Sequence, residues 1–166
     1  MGNTIIDILK GAILLEMRGK SFYETVAKET KSQATKEIFE IMAGEEVVHV
    51  NFLAEQYKSY TQTGKFSKIE LTDYKHNDVS ENVLTEKLKN QISAASYEAA
   101  AIAAAISMEK KAIDYYSERA KTSLNEDEKK LYKFLSEWET EHLRLLENLD
   151  KELVEKAWND NQFWPY

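Results

Sequence analysis

Cysteine is absent from the 166 residues. That excludes a disulfide-stapled scaffold, thiolate zinc sites, iron–sulfur clusters and thiol catalysis. Proline occurs once, as Pro165, and glycine five times. So few chain breakers, in a sequence rich in Ala, Leu, Glu and Lys, favour long helices. No apolar run approaches the roughly 20 residues needed to span a bilayer, so no membrane partner is expected. The N-terminus shows neither a basic leader nor a small-residue cleavage site, and a cytoplasmic location is the expectation. Nor is there a basic cluster. Lys and Arg are interleaved with acids at a net charge of −7, which argues against nucleic acid as a partner.

What remains is a chain with 43% hydrophobic residues, ordinary for a folded protein and enough at this length for a single domain spanning residues 1–166 with a closed core. Four long helices are predicted. The first runs from about Thr4, where Thr4 and Asp7 form a capping-box-like start, to about Thr30. The second spans Ser32 to Tyr60 and ends near Gly64; the third covers Ser96 to Thr122; the fourth begins at Asn125, with Glu128 closing a capping box, and reaches about Ala157. Short connections make helices one and two, and helices three and four, antiparallel hairpins. A long crossover, about 61–95, joins the pairs, and its Ser80–Asn90 portion reads as helical. The aromatic tail 158–166 is expected to cover a bundle end or a partner subunit rather than do chemistry. The fold class is therefore an all-α four-helix bundle with a central crossover.

The two halves repeat. A shift of 93 residues lays Glu16 on Glu109, Tyr23 on Tyr116, Ala27 on Ala120, Glu46 on Glu139 and His49 on His142, with no gap. The repeat covers about 4–60 and 97–153. On each helix the acid lies within an apolar stripe: Leu9, Ala12, Glu16, Gly19 and Tyr23 on the first, and Phe39, Met42, Glu46, His49 and Leu53 on the second. Helix three repeats the pattern around Glu109, and helix four around Glu139 and His142.

Four carboxylates buried together are strongly unfavourable unless paired, protonated or bound to cations. Arg18 and Lys20 lie near enough on helix one to be considered as partners, but two divalent ions balance four negative charges completely. The i, i+3 spacing of Glu46/His49 and Glu139/His142 puts each pair on one face, about 4.5 Å apart along the axis, so both can reach one ion. One Glu from each of two helices and a Glu-x-x-His from each of the others is the ligand set of dinuclear carboxylate bundles.

The hairpin signatures LLEMRGKSFYETVA (14–27) and SMEKKAIDYYSERA (107–120), followed by GEEVVHV (44–50) and WETEHL (138–143), resemble the rubrerythrins among ferritin-like di-iron proteins. The resemblance implies Glu16, Glu46, His49, Glu109, Glu139 and His142 as ligands of two Fe ions, with a carboxylate pair bridging them. Mn or Zn is compatible with the same donors. It also implies an oxidoreductase that reduces O2 or peroxide while ferrous iron is oxidised, served by an external electron donor, and a homodimer. Non-catalytic iron storage and a zinc-supported structural bundle are the alternatives. Two departures stand out: the four cysteines of a rubredoxin-like relay are missing, and Ala112 occupies the position of a glutamate used in redox-linked ligand exchange.

Several neighbours are read differently. Tyr23 and Tyr116, two turns from Glu16 and Glu109, are taken as core packing first, with redox or hydrogen-bonding to the site as the weaker catalytic reading. Glu98 belongs to a solvated bundle end. Glu45 and Glu141 are expected to point away from the core, and His76 to lie on the surface.

Overall fold

The computed structural model describes residues 4–68 and 96–160. They form four helices: α1 Ile5–Glu29, α2 Gln33–Thr63, α3 Tyr97–Thr122 and α4 Glu126–Asp160. α1 packs along α2 and α3 along α4, so the two hairpins come together as a ferritin-like four-helix bundle. The crossover beyond residue 68, its expected Ser80–Asn90 helix, His76 and the tail from residue 161 lie outside the described residues.

Side chains fix where the helices begin. Thr4 Oγ1 accepts from Asp7 N (3.2 Å) while Asp7 Oδ2 accepts from Thr4 N, completing the expected capping box. Ser32 and Ser96 cap α2 and α3 through Thr35 N and Ala99 N. At α4 the outcome differs from expectation. Asn125 Oδ1 caps the helix through Asp127 N and Glu128 N, but the Glu128 carboxylate accepts from the Ser123 hydroxyl. Asn125 N donates to the same Ser123 hydroxyl oxygen (3.1 Å), so Ser123 stands between the cap backbone and the carboxylate.

α2 ends at Gly64, whose φ of 70° is the left-handed stop that glycine tolerates best. α4 runs three residues past Ala157, because no breaker precedes Pro165. It therefore absorbs the start of the aromatic tail, and Trp158 is 67% exposed.

The buried apolar residues divide into two clusters. One gathers Tyr23, Phe39, Met42, Ile102 and Leu146. The other gathers Leu9, Phe52, Tyr116, Leu131, Tyr132 and Trp138. Between them along every helix lies a buried polar layer: Glu16, Glu46, His49, Glu109, Glu139 and His142. None of the described helices is long and apolar enough to cross a membrane.

Candidate metal centre

Each helix contributes to this layer from mid-length, as the stripes require. Glu16 comes from α1, Glu46 and His49 from α2, Glu109 from α3, and Glu139 and His142 from α4. Two sets of donor atoms form, each drawn together within 4.8 Å: Glu16, Glu46, His49 and Glu139, and Glu46, Glu109, Glu139 and His142. Glu46 and Glu139 belong to both.

Both imidazoles turn Nδ1 toward the carboxylates. His49 Nδ1 lies 3.0 Å from Glu16 Oε2, 2.9 Å from Glu139 Oε1 and 3.4 Å from Glu46 Oε2. His142 Nδ1 lies 3.3 Å from Glu139 Oε2 and 3.5 Å from both Glu46 Oε1 and Glu109 Oε1. The two rings stack, centroids 5.3 Å apart.

Burial is the largest influence on the ionisation of these groups. It lifts Glu46 well above the carboxylate range, with Glu139 adding to the rise, and lifts Glu109 to about 7. Burial opposes charge on the imidazoles, but Glu139 beside His49 outweighs it, as Glu109 and Glu139 do beside His142. Both pKa values stand well above the usual histidine range. Burial would also raise Glu139, yet the two imidazoles hold it well below its ordinary value. Without metal, protons therefore substitute for cations, and ions entering the layer must displace them.

Comparison with known protein families finds the rubrerythrins, matched over residues 7–150. The chain belongs to the rubrerythrin family. This is a ferritin-like di-iron carboxylate family, and no other domain is matched. No curated protein and no solved structure matches the chain.

The residues of this rubrerythrin-family layer suit a pair of ions on the chemistry of the donors alone. Oxygen and imidazole nitrogen are the ligands that first-row divalent metals accept, and four carboxylates neutralise two such ions. Two buried oxygens, Glu46 Oε2 and Glu139 Oε1, have only the His49 Nδ1 near them among the described residues, at 3.4 and 2.9 Å and outside hydrogen-bonding alignment, as befits atoms gathered for a cation. Gly19 fits the same picture. A Cβ there would come within 3.3 Å of the Glu46 carboxyl carbon, so α1 leaves that carboxylate its room.

Tyr23 and Tyr116 are fully buried, as core residues should be, but they also hydrogen-bond to the carboxylates. Their hydroxyls reach across the bundle: Tyr23 donates to Glu109 and Tyr116 to Glu16. Burial, then the facing carboxylate, raises both phenol pKa values well above normal. The expectation for Glu45 is corrected. Its Oε2 lies 2.7 Å from His142 Nε2, with 18% of the side chain exposed, because a long side chain just off the α2 stripe reaches α4. Glu141 does face outward, paired with Arg144 at 2.7 Å. Glu98 accepts from Thr30 at the bundle end. Lys20 pairs with Glu24 (3.1 Å) outside the core, and Arg18 lines the rim of a cavity of about 260 Å³ beside Glu16 and Glu109.

Proposed function

We propose that this protein is a di-iron oxidoreductase that reduces peroxide or O2 as ferrous iron is oxidised. The observation that carries the reading is the pair of overlapping donor sets sharing Glu46 and Glu139. Glu16 and His49 complete one ion's surroundings, and Glu109 and His142 the other's. When bound, the two ions supply the electrons and the Lewis acidity.

The chain's own contribution is placement and exclusion of water. The apolar clusters seal the layer along the helix axes. The cavity between α1 and α3 reaches Glu16, Glu46, Glu109 and Glu139 past Gly19 and Ala112, and is large enough for a diatomic or triatomic oxidant with accompanying water. The missing side chain at Gly19 and the methyl at Ala112 keep this approach open. Tyr23 and Tyr116 hold Glu109 and Glu16 in orientation by donating to one oxygen of each. Re-reduction of the oxidised centre draws on an electron donor outside these 166 residues, which hold no cysteine for an iron centre of the rubredoxin kind. A homodimer belongs to the same reading.

The test is anaerobic mixing of the iron(II)-loaded protein with peroxide, followed by absorption. Oxidation should far outpace that of a Glu46→Ala, Glu139→Ala double variant loaded alongside. Equal rates would remove the catalytic reading. Sedimentation adds a second check: a dimer fits turnover, whereas a large shell fits storage.

A further inference from the structure

The repeat that builds the centre is broken directly behind the histidines. His49 and His142 are equivalent under the 93-residue shift, and both direct Nδ1 inward, so each turns Nε2 outward. What meets Nε2 differs. Behind His142 stands the Glu45 carboxylate at 2.7 Å, reaching over from the other hairpin. The residue equivalent to Glu45 is Trp138. Its indole lies against the His49 ring, centroids 4.1 Å apart, wedged in place by Phe52 and Phe134. His49 Nε2 has no hydrogen-bond partner among the described residues.

We propose that the two ion positions are chemically inequivalent, that Glu45 is the positioning residue that makes them so, and that a divalent first-row ion fills the His142 position before the His49 position. The proposal rests on the dinuclear reading above. A carboxylate that accepts from Nε2–H fixes the tautomer with its Nδ1 lone pair free for an ion, locks the ring's orientation and strengthens the nitrogen as a donor. His142 has all three advantages. His49 has an apolar lid, which fixes the ring plane but neither selects the tautomer nor adds charge. The carboxylate count points the same way. Both donor sets hold three glutamates, but only that of His142 has a fourth carboxylate immediately behind it.

Cobalt(II) is the probe, because its visible absorption and its hyperfine-shifted proton resonances report coordination without turnover. Titration of the metal-free full-length protein should show two uptake steps differing by at least tenfold in affinity. Glu45→Gln keeps the side chain's shape and an acceptor oxygen but loses its charge. It should weaken the tight step by roughly 10–100-fold and leave the weak step in place. In protein carrying one equivalent of cobalt, a single exchangeable imidazole N–H resonance is expected, and it should move in Glu45→Gln. His142→Ala should abolish the tight step, and His49→Ala should spare it.

Two ions bound with equal affinity, a tight step lost with His49 rather than His142, or equal weakening of both steps in a folded Glu45→Gln variant would each overturn the inequivalence while leaving a dinuclear centre. Uptake of fewer than two ions overturns both. If Glu45→Gln does not fold, the single-histidine variants and the N–H resonance of the unaltered protein decide the matter.

Discussion

If the buried carboxylates exist to hold cations, removing the charge from one of them should stabilise the metal-free protein. Glu109 gives the clearest case. Burial raises its pKa from 4.5 to about 7. At about 1.4 kcal/mol per pKa unit, keeping it ionised above pH 7 costs the folded state on the order of 3 kcal/mol. Glu109→Gln keeps the shape and an oxygen for the Tyr23 hydroxyl, so it should recover up to that amount at pH 8. The figure is an upper one, because His142 loses a counter-charge. At pH 5, where folded Glu109 is already protonated, the gain should shrink to under about 1 kcal/mol.

The same sign holds for the unaltered metal-free protein. A raised folded-state pKa means that the folded chain retains protons the unfolded chain has lost. Stability therefore falls as pH rises from about 4.5 through 7 for Glu109, and beyond 6.5 for the raised histidines. Glu139, held low, acts oppositely and only at acid pH. Stability should be greatest near pH 5. Urea unfolding of both proteins at pH 5 and 8, with chelator present, measures this. A Glu109→Gln variant less stable than its parent at pH 8 would refute the reasoning, since that is how a residue retained for structure behaves.

Other perturbations separate structural roles from metal-holding ones. Tyr116→Phe removes the hydroxyl that donates to Glu16 and should cost about 1–3 kcal/mol in urea unfolding, because a buried oxygen loses its donor. Tyr132→Phe should do the reverse. The Tyr132 hydroxyl is buried without a hydrogen-bond partner among the described residues, so its loss should be neutral or stabilising by about 1 kcal/mol in thermal unfolding. Gly19→Ala replaces a mid-helix glycine, a change worth up to about 1 kcal/mol to α1, but its Cβ presses on the Glu46 carboxyl at 3.3 Å. Calorimetric metal titration should show weaker uptake even where the metal-free melting temperature rises.

Much of this architecture is legible in the residues. The 93-residue shift and the three-and-four spacing of apolar side chains place all six acids and imidazoles inward, and the structure brings them into one layer. Periodicity suffices there because burial on a helix depends on angle alone. It does not suffice for contacts that depend on how helices slide past one another. Glu45 lies one residue off the α2 stripe, and only the register of α2 against α4 brings its carboxylate to His142. A signal was available nonetheless: Glu45 and Trp138 are unlike residues at matched positions beside a matched ligand. The crossed Tyr–Glu bonds were hidden similarly, since Tyr23 serves the acid of the opposite hairpin rather than its own. Helix ends depended on local competition, as at Ser123, whose hydroxyl takes the Glu128 carboxylate from the Asn125 cap.

The central claim is that six side chains from two matched hairpins enclose two metal ions. Diffraction from iron-loaded crystals, recorded on either side of the iron absorption edge, tests it directly. Two anomalous peaks per chain, roughly 3.5–4 Å apart, should lie between Glu46 and Glu139, one beside His49 and one beside His142. A layer without peaks in iron-loaded crystals, or iron held only at the protein surface, would contradict it.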